Sequence, residues 1–229
     1  METYEQKLYE HLKQFVSEQR LARIDDVAKE RTKYITVAVE DIYQPHNASA
    51  IMRSAECFGI QELHIVENKN KYSPNMEITK GASKWIDLVH YNKSENNTME
   101  CVRALKKSGY RVVATTPHEK SRTIDKLDIA AGPVALFFGT ELEGITDELR
   151  DNADELVKIP MYGFTESFNI SVSAAICLYD LTTRMRNSGV EWRLPEADLT
   201  KLKLEWLRNT IQRCDLIEKL FRETLDLRL

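Results

Sequence analysis

Two apolar stretches of this chain each run straight into a loop carrying glycine, a carboxylate and side-chain amides or hydroxyls. VALFFGTELEG spans Val134 to Gly144, and VKIPMYGFTESFNISVSAAICLY spans Val157 to Tyr179. An α/β sheet places its ligands at the ends of its strands in just such loops. The second loop leads into a helix opening on Ser171, Ser173, Ala174 and Ala175, whose small side chains let a flat ligand or another backbone come close. A third stretch, Pro45-His46-Asn47-Ala48-Ser49-Ala50-Ile51-Met52-Arg53, adds an amide and a guanidinium at the start of a helix. Asn47 is placed to cap that helix. Arg53 lies about 200° around a 3.6-residue helix from Ile51 and so points away from the core; taken alone it reads as a solvated arginine paired with Glu56, and together with Asn47 and a helix N-terminus that favours anions as part of a phosphate or ribose site. GxExxG at Gly139 to Gly144 reads either as an acidic turn with two permissive glycines or as a ligand loop. Ser167 or Asn169 is the expected N-cap of the small-residue helix.

The elements that must hold these loops alternate in type. Thr36 to Val39 has the β-branched pattern of a strand, a helix follows over about 48–58 and ends at Gly59, and a strand follows at Leu63 to Val66. Further strands are expected around Ile86 to Val89, Arg111 to Thr115, Val134 to Phe138 and Leu156 to Ile159, with helices near 98–108, 146–152 and 170–187 between and after them. That alternation predicts an α/β fold, a mostly parallel sheet with helices on both faces. Residues 1–33 form an N-terminal helical extension, 34–187 the main domain, and 188–229 a C-terminal extension. In the last, Leu207, Ile211, Cys214, Ile217 and Phe221 make one apolar stripe on a single long helix starting near Asp198; its partner is the N-terminal helix or a second subunit.

Composition bounds the function. In 229 residues with 42% hydrophobic and 30% charged side chains, no apolar run approaches the roughly 20 residues of a membrane span, and the start METYEQKLYEHL is unlike a secretion signal. A cytoplasmic enzyme is expected. The cysteines Cys57, Cys101, Cys177 and Cys214 form no CxxC pair, so neither zinc site nor disulfide framework is suggested. The net charge of −4 argues against a protein that coats nucleic acid indiscriminately, yet leaves room for a shaped RNA site. Residues 1–33 carry seven Lys/Arg against seven Asp/Glu, and 188–229 eight against eight, so the acidic excess lies in the middle; the basic faces of the flanks read equally as solvated helix faces or as the places that meet a polyanion. GxGxxG after the first strand, GxxxxGK[ST], HExxH and GxSxG are all missing, which removes the crowded dinucleotide, triphosphate, zinc-protease and serine-hydrolase readings.

Taken together, PHNASAIMRSAECFGI, GTELEG and KIPMYGFTESFNISVSAA resemble the three motifs of the SPOUT superfamily of RNA methyltransferases, and more narrowly those of the TrmH-type tRNA guanosine 2′-O-ribose methyltransferases, over about 34–187. GASKW at Gly81 to Trp85 and ATT at Ala114 to Thr116 add to the match. The resemblance implies a C-terminal deep trefoil knot at about 137–187, a homodimer with interfacial active sites, and tRNA as the partner with neither DNA nor membrane involved. It implies S-adenosylmethionine as cofactor, with S-adenosylhomocysteine as product and no metal, at Thr115, Gly139, Ile159, Met161 and Phe168. The family more usually has leucine where this chain has Phe168. By the same match Arg53 is the catalytic arginine, with Asn47, Glu141, Ser167 and Asn169 orienting the ribose hydroxyl or shaping the site. Arginine stays protonated near neutral pH, and deprotonating one costs roughly 7 kcal/mol, so a charged Arg53 that binds phosphate and stabilises a developing alkoxide is the better reading. The implied reaction is methylation of a ribose 2′-hydroxyl in tRNA, at a D-loop guanosine. Methylation of ribosomal RNA by the same fold and a non-catalytic RNA-binding knot protein are the alternatives.

Overall fold

The computed structural model describes residues 3–117, 121–140 and 143–226. They divide into two compact units, one of 1–31 with 193–229 and one of 32–192.

The first unit is helical. α1 (Tyr4–Leu12) opens on a capping box in which the Thr3 hydroxyl accepts from Gln6 N and the Gln6 side chain accepts from Thr3 N. A 3₁₀ turn at Lys13–Phe15 follows, and Ser17 caps α2 (Glu18–Lys29). The N-terminal extension expected to be helical holds two helices, separated where Ser17 offers a new start. At the far end of the chain, after the elements of the second unit, the expected long helix is also broken. α8 (Glu196–Thr210) and α9 (Cys214–Asp226) are separated at Arg213, whose φ of 55° is left-handed. The apolar stripe is thus shared between two helices. Leu8, Leu12, Ile24, Leu204 and Leu207 are buried in this unit, Arg31 stacks over the Trp206 ring at 5.2 Å, and His11 stacks on Phe221 at 4.5 Å.

The second unit is a seven-stranded, all-parallel sheet among the described residues, in the order β3-β2-β1-β6-β4-β7-β5. In chain order its elements are β1 (Ile35–Glu40), α3 (Pro45–Cys57), β2 (Glu62–Val66), the short α4 (Met76–Thr79), β3 (Asp87–Tyr91), α5 (Asn97–Lys107), β4 (Arg111–Thr115), β5 (Arg122–Thr123), β6 (Val134–Phe138), α6 (Asp147–Asn152), β7 (Glu155–Lys158) and α7 (Ile170–Arg186). Period-two alternation sends side chains to two cores. Ile35, Val37, Val39, Leu136 and Phe138 join α3 and α7 on one face. Ala38, Val112, Ala114, Phe137 and Leu149 pack with α5 and α6 on the other. β5, two residues long and paired only with Val157 and Lys158 of β7, has no counterpart among the strands expected from the sequence.

Asn47 does not cap α3. Gln44 holds that place without a side-chain hydrogen bond, and Pro45 follows at the first helical position, where its missing N–H costs nothing and its fixed φ suits the helix. The helix thus begins earlier than expected, with Asn47 inside its first turn. At its other end Gly59, φ 82°, closes it as expected.

Candidate functional site

The tips of β4, β6 and β7 meet at one cavity of about 470 Å³, within the range of small-molecule sites. The strand ends are held in register past the last ladder residues. Thr115 Oγ1 donates to Phe137 O at 3.0 Å, and Thr116 N donates to Val157 O at 2.9 Å.

The loop leaving β6 is pinched shut. Thr140 N donates to Gly144 O at 2.8 Å, Gly144 N returns to Thr140 O at 3.2 Å, and Glu143 N donates to Thr140 Oγ1 at 3.0 Å. A Cβ on Gly139 would lie 2.1 Å from Gly144 O and 2.4 Å from Ile145 N, so this position admits glycine alone, while Gly144 has the φ of 72° that favours glycine. The first glycine of GTELEG is required by close backbone approach and the second by conformation.

The loop leaving β7 is exposed over most of its length, and Asn169 ends it. Its Oδ1 accepts from Ser171 N at 2.9 Å and from Ser171 Oγ at 2.6 Å, making it the cap of α7; of the two residues expected for that place, the structure selects Asn169. Its amide nitrogen is left to reach across to α3, where it donates to Asn47 Oδ1 at 3.1 Å. The start of α3 is fixed in turn: Ser49 Oγ donates to Pro45 O and accepts from Asn75 N, and Tyr72 Oη donates to Ala48 O.

Thr115, Gly139, Ile159, Met161 and Phe168 all line this cavity, and so do Asn47, Ser167 and Asn169. Arg53 does not. Six residues beyond Asn47, it lies about 9 Å further along α3 and about 120° around it, its side chain exposed to solvent and without a hydrogen bond or ion pair to another described residue. Glu141 lies outside the described residues.

The cavity also gathers residues given no role in the sequence reading. Gln44, Glu143, Arg150 and Lys158 bring polar and charged groups to its wall, and Cys177 brings a thiol. Arg150 pairs with Asp147 on α6. Burial, with the Asp180 carboxylate adding to it, pushes the Cys177 thiol up to about 12, so it serves as an apolar filler at neutral pH. Among the described residues, no group of three His, Cys, Asp or Glu is arranged to hold a metal, and no helix is long and apolar enough to cross a membrane.

Residues 34–179 match the model of the SpoU rRNA Methylase family. A tRNA (guanosine(18)-2′-O)-methyltransferase of Borreliella burgdorferi is 42% identical over 209 residues, covering 91% of this chain and 94% of the relative. Among solved structures, the A. aeolicus TrmH/SpoU tRNA modifying enzyme superposes with a TM-score of 0.76 at 28% identity, over 86% of this chain and 98% of its own. The SpoU methyltransferase AviRb from Streptomyces viridochromogenes, solved in complex with the cofactor AdoMet, shares the fold with a TM-score of 0.60 at 24% identity, over 71% of this chain and 65% of its own.

Proposed function

The chain belongs to the SpoU rRNA Methylase family, and from that premise we propose that it methylates the ribose 2′-hydroxyl of guanosine 18 in the D-loop of tRNA, with S-adenosylmethionine as donor. The near end-to-end match with a tRNA enzyme favours tRNA over ribosomal RNA. The single observation that carries the reading is the cavity at the tips of β4, β6 and β7, walled by residues from all three motifs and tied across by the Asn169–Asn47 bond.

The residues present fit the cofactor. At Gly144, which lines the cavity, nothing lies within 4 Å of where a Cβ would stand, so the loop offers open backbone that a flat adenosyl group can approach. Thr115, Gly139, Ile159, Met161 and Phe168 would hold it. When bound, S-adenosylmethionine supplies an electrophilic methyl group on a sulfonium. The chain's own task is then positioning. Asn47, Ser167 and Asn169, with Glu141, orient the ribose hydroxyl. Arg53, whose side chain bonds no other described residue, is available as a cation for an RNA phosphate and for charge developing on the 2′-oxygen.

A homodimer completes the reading. Tyr162 and Phe164 in the loop after β7, with Val172 and Tyr179 on α7, are exposed large apolar side chains on the two elements that follow β7 and wall the site, and burying them favours a protein partner there. The proposed trefoil knot, at about 137–187, is supported by the insertion of β7 between β4 and β5 and by the return of α7 onto α3 and the turn at Ile124–Lys126. The terminal helices are proposed to contribute RNA contact and dimer packing, and the cytoplasm is the proposed location.

The test is incubation with methyl-labelled S-adenosylmethionine and, in parallel, total tRNA and ribosomal RNA fragments, followed by mapping of the modified ribose through its resistance to alkaline cleavage. Label in ribosomal RNA alone overturns the tRNA assignment. Label in neither, from folded protein, overturns the enzymatic one.

A further inference from the structure

We propose that the buried Glu40 carboxylate is a positioning residue of this site, holding the loop between β6 and α6 in the arrangement that forms the cofactor wall; the inference rests on the methyltransferase reading above. Glu40 ends β1 and is fully buried, where a carboxylate without partners would be strongly unfavourable. Its partners come from two distant elements. Thr98 Oγ1 of α5 donates to Oε1 at 2.6 Å, Thr146 Oγ1 donates to the same oxygen at 2.9 Å, and Thr146 N donates to Oε2 at 3.1 Å.

Each hydroxyl oxygen is itself an acceptor. Asn68 Nδ2 donates to Thr98 Oγ1 at 2.9 Å, and Leu149 N donates to Thr146 Oγ1 at 3.2 Å. The hydroxyl protons are therefore committed to Glu40, and the donor directions converge on it from both sides.

Neither Glu40 nor Thr146 lines the cavity, but Thr146 directly follows Ile145, which does, together with Gly139, Thr140 and Gly144. The loop is thus fixed at its neck by the Gly139–Gly144 contact and at its exit by Glu40. The same strand end leads through Asp41 to the α3 turn. Asp41 has a left-handed φ of 52°, and its Oδ1 accepts from Asn68 N, Lys69 N and Asn70 N at 2.7, 2.8 and 3.2 Å. The Glu40 carboxylate therefore sits between the start of the α3 turn and the exit of the β6–α6 loop. An apolar side chain here would leave two hydroxyls and Thr146 N without their acceptor; the three bonds satisfy those donors and fix their geometry.

Glutamine at this position retains shape and loses one acceptor, so its NH₂ must face either the two donating hydroxyls or Thr146 N. The experiment measures S-adenosylmethionine binding by calorimetry and steady-state kinetics on tRNA for the parent, Glu40→Gln, Thr146→Val and Thr146→Ser. Glu40→Gln and Thr146→Val are each expected to weaken cofactor affinity by about tenfold or more, with KM for tRNA within about twofold. Thr146→Ser keeps the hydroxyl and the N–H and is expected to stay within about twofold of the parent. Parental cofactor affinity and turnover in Glu40→Gln, whatever its melting temperature, overturns the proposal. If Glu40→Gln does not fold, equal affinities in the two Thr146 variants overturn it. A folded parent that binds no S-adenosylmethionine overturns the methyltransferase reading and this inference with it, an outcome distinct from equal binding by parent and variant.

Discussion

The side-chain amide of Asn169 donates to Asn47 Oδ1 at 3.1 Å across 122 positions of sequence. The same side chain caps α7 through its other atom, so one residue both starts a helix and couples it to α3. The two roles separate by substitution. Asn169→Asp keeps an acceptor for Ser171 N but has no donor for Asn47, so it is expected to melt close to the parent while methyl transfer falls about tenfold or more. Asn169→Ala loses both, with about 1 kcal/mol of stability gone in addition and weaker cofactor binding. Calorimetry and denaturant melts on the pair check this; equal activities for parent and Asn169→Asp would show that the cross-link is incidental.

The Arg53 side chain is exposed and bonds no other described residue, so Arg53→Ala is expected to change stability by no more than about 0.5 kcal/mol. Cofactor affinity should stay within about twofold, while transfer to tRNA falls by about 100-fold or more. Arg53→Lys is expected to rescue little, since a point charge does not reproduce a bidentate fork on phosphate. Methyl incorporation by Arg53→Ala above a few per cent of the parent rate contradicts this role.

At Gly139 the added methyl group of alanine meets backbone, not a flexible side chain. Gly139→Ala is therefore expected to cost about 1–3 kcal/mol or more and to abolish cofactor binding by opening the pinched loop. A variant that melts like the parent and still binds S-adenosylmethionine would refute the steric argument.

Glu62 on β2 sits 3.7 Å from His64 Nε2 and 2.6 Å from Lys33 Nζ. Interaction with His64 and then with Lys33, against the opposing effect of burial, takes its carboxyl from 4.5 down to about 2. A depressed carboxyl contributes stability that is present above the unfolded value and lost as pH falls through the folded one. Glu62→Gln is thus expected to lower stability by about 1–2 kcal/mol at pH 7, and the difference should shrink between pH 4.5 and 2. Urea titrations at pH 7 and pH 3 measure it, and a gap that does not change with pH excludes this linkage.

The parts of the fold that repeat a local pattern are legible in residue types alone. β4 and β6 begin and end where β-branched and aromatic runs meet glycine and polar residues, and α3 stops at Gly59. Asn47 suggests a cap that it does not make, because proline at the first helical position outweighs a later capping side chain. The break at Arg213 has neither glycine nor proline to announce it, and β5 exists only through its pairing with β7. At the site, glycines and amides next to strand ends mark the cavity. Glu40 and Arg150 leave no such mark, because a charged residue reads as solvent-facing until the layers that enclose it are known.

The helical unit of 1–31 and 193–229 is assembled from both ends of the chain. α2 ends at Lys29 and α8 begins at Glu196, so at about 5–20 residues per second of synthesis the first helices wait on the order of 10–30 s for their partners to be made. During that interval Leu8, Leu12 and Ile24 have no core to enter. The unit is therefore completed only once α8 and α9 have been made, after the residues of the central sheet.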